Sequence, residues 1–195
     1  MRKIETSCMA LIMLGLILFL FAFPGKSIAW ILGFGILAFS YQFFSFAILN
    51  NIRFRNIFKK ESYREISPKR ILASIFIGFA LATASFGILF HLMYWPGAAV
   101  LRIDGIIFLI IAIIISTYKY SKHKDLFHRN VIVRSSIFVV VCTILSLIPT
   151  EKMVRFQYRN NPEYAEAFLK VLKNPDNAEY RKELEEIKYK DLHEE

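Results

Sequence analysis

The chain has 195 residues, of which 55% are hydrophobic and 21% charged, and its mean hydropathy is positive, at +0.42. That much apolar surface exceeds what one small soluble core uses, so the composition argues against an ordinary soluble domain and for a polytopic membrane protein. The formal charge of +9 does not signal nucleic acid, because residues 1–149 hold 16 Lys and Arg against 5 Asp and Glu, while residues 150–195 hold 9 against 11; the excess lies in loops beside apolar runs, as membrane orientation and anionic lipid headgroups demand.

Met1, Arg2 and Lys3 precede an apolar run from Met9 to Phe23. A basic start and a short apolar core also suit a secretory signal. After Pro24-Gly25-Lys26-Ser27, however, a second apolar stretch runs from Ile28 to Leu49, and no small-x-small cleavage site parts the two. The pair reads as a retained helical hairpin, with spans over 8–23 and 28–49. Asn50 to Arg70 then carries Arg53, Arg55, Lys59, Lys60, Arg64, Lys69 and Arg70 against Glu61 and Glu65. Such a loop faces the cytoplasm. Its Ile52, Phe54, Ile57 and Phe58 either lie on the membrane surface or belong to a loop that only sets topology, and the second reading is preferred.

A third span over 71–94 presents Ser74, Gly78, Ala82 and Ser85 at helical spacing, a stripe of small residues that lets another helix approach closely. It ends at Tyr94-Trp95-Pro96-Gly97, a hairpin turn whose aromatic pair suits the membrane interface. The fourth span, 98–117, includes Ile106 to Ile115, an apolar run expected to face lipid. A second basic loop over 118–130 holds Lys119, Lys122, Lys124 and Arg129, and Arg134 opens the fifth span, 131–148. With both basic loops inside, the N-terminus is cytoplasmic and the tail periplasmic; Lys152, Arg155 and Arg159, directly after the fifth span, oppose that orientation.

Residues 150–195 read as a soluble helical tail. Asn161-Pro162-Glu163 and Asn174-Pro175-Asp176 each offer an Asn cap, a Pro for the first helical position and an acid in the first turn. Two short helices are expected, striped by Tyr164, Phe168 and Leu172 and by Tyr180, Leu184 and Ile187. Such helices pack as a pair, dock on a partner or, most simply, stay solvated. The fold class is thus all-α: five transmembrane helices over residues 1–149 and a short helical tail.

Residues with chemical potential are few. Cys8 and Cys142 stand in different apolar runs with no second Cys or His at ligand spacing, so neither a disulfide nor a metal site is expected. There is no phosphate loop, nucleophile elbow or metal-binding helix motif, and no catalytic residue or cofactor is assigned. What remains is His91, Arg102 and Asp104 inside apolar segments. Counted from the turn at ~1.5 Å per residue, His91 lies roughly 8 Å deep and Asp104 roughly 11 Å. A meeting across the hairpin is expected, either as a structural lock, with Asp104 paired to Arg102 or His91, or as part of a conducting path. Arg102 is alternatively able to reach the outer surface along its stem.

Phe90-His91-Leu92-Met93-Tyr94-Trp95-Pro96-Gly97-Ala98, followed by an apolar span, resembles the transmembrane hairpin of the L subunit of the Bacteroidota gliding-motility and type IX secretion motor, the GldL/PorL family. That family carries a Phe-Lys-Ile-Met-His-Trp-Pro-Gly-Ala run. The resemblance covers residues 83–117 and implies a bacterial inner-membrane protein whose turn faces the periplasm. In the family the hairpin belongs to a proton-driven bundle; here His91 takes the basic position, Tyr94 replaces a His, and the place of the family's Glu, near Leu109, is apolar. The expectation from the whole chain is a non-enzymatic accessory or scaffold subunit of a membrane complex, associating through the third-span stripe and the tail. Its partners would be membrane lipids and a protein partner or second copy held through the transmembrane helices. The alternative is a proton or small-solute transporter using His91 and Asp104.

Overall fold

Each long apolar run becomes a helix, and the first three stop where the following residues fold N–H groups back onto the last carbonyls. A computed structural model describes residues 2–23 and 25–193; Met1, Pro24 of the first turn and the last two residues lie outside them. Among the described residues every regular element is helical: α1 (Arg2–Leu20), α2 (Lys26–Leu49), α3 (Pro68–Leu92), α4 (Ala98–His123), α5 (Leu126–Leu147), α6 (Thr150–Gln157), α7 (Pro162–Lys173) and α8 (Ala178–His193), with two short 3-10 turns at Phe54–Asn56 and Lys60–Tyr63. The helices α1 to α5 are long and apolar enough to cross a membrane.

The bounds differ from expectation at the polar ends. α4 continues past Thr117 and α5 begins at Leu126 rather than Val131, so the basic loop expected over 118–130 contracts to a turn at Lys124 and Asp125. Lys124 ends α4 with a left-handed φ of 47°, and the Asp125 side chain accepts the Phe127 N–H at 3.1 Å, capping α5. A helix of 26 residues exceeds the ~30 Å hydrocarbon slab, so its charged last turns remain at headgroup level while still helical. Likewise α3 starts at Pro68 behind a Ser67 cap and stops at Leu92.

α3 is the central element, packing against α2, α4 and α5. Its small-residue stripe is filled from within the chain. A Cβ on Gly78 would stand 2.0 Å from Ser45 Cβ and 2.6 Å from the Tyr41 carbonyl of α2, and Ser74 Oγ accepts a 2.9 Å bond from Asn50. Ser74, Gly78, Ala82 and Ser85 are all buried. The expectation that this stripe recruits another protein is therefore corrected: α2 occupies it. At the next interface Gly105 of α4 meets α3 so closely that a Cβ would lie 2.9 Å from Ala84 Cα. Ile106 to Ile115 is not uniformly lipid-facing either, because Leu109 and Ala112 turn into the bundle.

The basic loop after α2 also divides. Ile52 and Ile57 are buried against Ala47, and Tyr63 Oη donates to the Ile57 carbonyl, whereas Phe54 and Phe58 are exposed, Phe58 at 94%.

In the tail, Asn161 caps α7 as expected, its side chain accepting the Tyr164 N–H at 2.9 Å. Asn174 does not open the next helix. It closes α7, donating its N–H to Lys170 O, and Asn177 caps α8 instead, accepting from Glu179 N–H at 2.9 Å. An additional short helix, α6, precedes them. Nor is the tail simply solvated: Val154, Ala165 and Leu169 form a small core with Tyr94, Tyr158 and Phe168, which docks it on the α3–α4 turn.

Candidate functional site

The α3–α4 turn is built by a helix end in which Trp95 N–H donates to Phe90 O at 2.8 Å and Tyr94 N–H to His91 O at 3.2 Å. Tyr94 takes a left-handed φ of 56° and Gly97 one of 84°. This closes α3 and immediately opens α4, holding His91 in the last turn of one helix and Arg102 in the second turn of the next. Gly87 permits the contact: a Cβ there would lie 2.8 Å from the Arg102 backbone nitrogen.

Both side chains are buried, each 7% exposed. Arg102 Nε donates to Ser146 Oγ of α5 at 3.2 Å, and Ser146 Oγ in turn donates to the Cys142 carbonyl at 2.8 Å. Neither Arg102 Nη1 nor His91 Nε2 has a hydrogen-bond partner. Arg102 therefore does not reach the outer surface; it lies within the contact between α4 and α5.

Asp104 is elsewhere. Two residues from Arg102 on a helix, it is turned by about 200° away from it, is only partly buried, and makes no ion pair or hydrogen bond among the described residues. The expected pairing of Asp104 with His91 or Arg102 is thus overturned. Similar depth along the hairpin was not enough, because the two groups leave their helices in different directions.

Apart from the surface pairs of the tail, the ionic contacts lie at the opposite end of the bundle, and of their residues the sequence marks only Arg134 as more than a loop charge. Arg134 of α5 grips Glu5 of α1 through two bonds of 2.7 Å, and Tyr41 Oη of α2 donates to the same carboxylate at 2.9 Å. Arg70 binds Asp125 at 2.7 Å and Asn50 Oδ1 at 2.6 Å, with its guanidinium 4.6 Å from the centre of the Phe127 ring. A signal existed for the first pair: Glu5 is the sole acid before Glu61 and sits at the edge of an apolar run.

Two grooves open on the outer surface of the bundle. One, of about 510 Å³, lies between α3 and α4 over Ala73, Ala80 and Ala112, with Phe76, Phe108 and Ile115 on its walls. The other, of about 570 Å³, lies between α1 and α5 and ends at Glu5 and Arg134. No group of three potential metal ligands occurs among the described residues, and Cys8 and Cys142 are both buried free thiols. The chemistry available is that of a buried cation, an outward carboxylate and apolar grooves, which suits binding and positioning. Comparison with family models, with curated proteins and with solved structures finds no match to this chain.

Proposed function

We propose that the chain is a non-enzymatic accessory or scaffold subunit of a membrane complex, seated in the inner membrane of a bacterium with its N-terminus in the cytoplasm and its tail in the periplasm. The observation that carries this reading is Asp104, an acid that lies within a helix long and apolar enough to span a membrane and finds no counter-charge among the described residues. An ionisable group in the bilayer is costly unless it finds a partner, so a solitary one on an outer face implies that the partner is supplied from outside. The small-residue stripe on α3 no longer serves this purpose, since α2 fills it; association passes to α4 and the exposed tail. The likeness of the turn to the motor-subunit hairpin supports the compartment. The alternative, a transport path using His91 and Asp104, draws no support from a direct contact, since no hydrogen bond or ion pair joins the two among the described residues.

The test is purification of the tagged chain from its native membrane in mild detergent, with the mass of the particle measured by light scattering and its components by mass spectrometry. A second membrane or envelope protein in fixed stoichiometry is the expected result. A particle containing this chain alone, as monomer or homo-oligomer, overturns the reading.

A further inference from the structure

We propose that the groove between the outer faces of α3 and α4 seats one transmembrane helix of a different protein, and that this helix carries a Lys or Arg within one turn of the depth of Asp104. The inference rests on the accessory-subunit reading and names where and how the partner binds. Asp104, Phe108, Ile111 and Ile115 follow one another at spacings of four, three and four, so they share one face of α4. Phe108, Ile111 and Ile115 line the groove, and Asp104 stands one turn beyond its end. The groove therefore extends into a site that terminates on an unpaired carboxylate.

Its floor and walls suit a helix. Ala73, Ala80 and Ala112 form the floor, and in lipid such small residues let backbones approach until dispersion contacts hold them. Phe76, Phe79 and Phe108 are exposed on the two sides, giving ridges between which a third helix lies. From Asp104 to Ile115 the face is about 17 Å long at ~1.5 Å per residue, or three helical turns.

Charge decides among possible occupants. An acyl chain fills apolar space but offers Asp104 neither a cation nor a donor. A second copy of this chain related by a two-fold axis would bring Asp104 against Asp104, and the basic groups of its long apolar helices at this end are committed: Arg102 is buried beside Ser146, and Lys26 lies 5.5 Å from the centre of the Tyr158 ring. A foreign helix with a basic side chain satisfies both the groove and the carboxylate.

The experiment places the photo-crosslinking residue p-benzoylphenylalanine at Phe108, and separately at Ile115, of the full chain in its native membrane, and identifies the captured peptide by mass spectrometry. The expected product is a transmembrane segment of another protein with Lys or Arg within a turn of the Asp104 level. Its yield should fall about tenfold in Asp104→Asn, the loss of one charge-assisted contact, and persist in Asp104→Glu. Capture of lipid only, of this chain itself or of a helix lacking a basic residue overturns the proposal, as does an unchanged yield in Asp104→Asn. If Asp104→Asn does not fold, as judged by gel filtration, the basic residue of the captured helix is changed to Gln against the unmodified chain, and the same loss is required. A partner that co-purifies in fixed stoichiometry yet never cross-links from the groove overturns this inference and leaves the accessory-subunit reading standing, whereas a chain that purifies alone overturns both.

Discussion

Arg134 and Glu5 join the first and fifth spans, which otherwise leave a groove between them. Their side chains are 17% and 16% exposed, so neither charge is well hydrated, and the paired bonds with the added Tyr41 donor are what make the burial tolerable. Removing one partner is worse than removing both. Arg134→Met should lower stability by about 3–5 kcal/mol, because it strands a carboxylate, while the double change Glu5→Gln with Arg134→Met should recover most of that loss. Thermal unfolding in detergent of the four proteins of this cycle, the unmodified chain, the two single variants and the double, checks it; a double variant as unstable as Arg134→Met alone would show that the pair does not act as a unit. At this scale the site is legible in the sequence only in part. The sequence singled out His91, Arg102 and Asp104 as the ionisable groups inside apolar segments, and the structure keeps all three within or beside spans. It paired them by depth along the hairpin, which periodicity reports, and not by the direction in which each leaves its helix relative to a third helix, which periodicity in one segment does not. Ser146, the residue that binds Arg102, lies 44 positions away and carries no local signal at all.

The five spans were legible because long apolar runs leave the backbone no alternative in lipid but to bond within its own segment. Their ends were not, since the caps depend on single residues. α1, α2 and α3 finish in the same way: the residue after the cap turns left-handed and two N–H groups fold back on the last carbonyls, at Ala22 and Phe23, Asn51 and Ile52, and Tyr94 and Trp95. Glycine is the usual residue at that position and none of the three is glycine, which hid the pattern. Asn tolerates this conformation and Tyr94 is held by its contact with Phe168, 5.6 Å between ring centres. Ala22, at φ 55°, has no such compensation, so Ala22→Gly should stabilise the protein by about 0.5–1 kcal/mol, read as a rise in melting temperature. In the tail, two look-alike Asn-Pro-acid motifs resolved differently because α7 uses the second Asn to close itself. The α6–α7 contact is further tied by Glu151 and Lys173, 2.7 Å apart. The hydrogen bond and the charge of Lys173 hold the Glu151 carboxyl below its usual range. A depressed folded value means that this contribution is complete above the ordinary carboxylate range and is lost as the pH falls through the lowered value. Amide exchange in α7 should therefore accelerate relative to α3 on acidification, and Glu151→Gln should remove that part of the pH response.

Taken whole, the molecule has two unlike ends. One gathers the start of α1, the loop between α2 and α3 and the α4–α5 turn, and is held together by Arg134 with Glu5 and Arg70 with Asp125. The other gathers the α1–α2 turn, the α3–α4 turn and the tail, through Phe19 against Phe156 at 5.2 Å and Tyr94 Oη against Gln157 at 3.2 Å. An odd number of spans requires this separation. Of the 16 basic residues before position 150, only Lys26 and Arg102 belong to the second end, an asymmetry that supports the proposed orientation with the first end on the cytoplasmic side. The basic residues that argued against this orientation, just after α5, are largely occupied: Arg155 pairs with Glu166, and Arg159 donates to the Leu20 carbonyl and lies 4.7 Å from the centre of the Phe156 ring. They act as tail contacts more than as free positive charge. Because Cys8 and Cys142 are buried, at 2% and 0% exposure, single introduced cysteines report sidedness cleanly. Lys59→Cys and Lys182→Cys both place a thiol at an exposed position. With a membrane-impermeant maleimide on intact spheroplasts, Lys182→Cys should label at once and Lys59→Cys only after permeabilisation. The reverse order would invert the protein in the membrane and move the Asp104 end to the cytoplasmic side. Labelling of both from one side would mean that the chain crosses an even number of times between these positions, against the three crossings of α3, α4 and α5, and with it the five-span reading would fall.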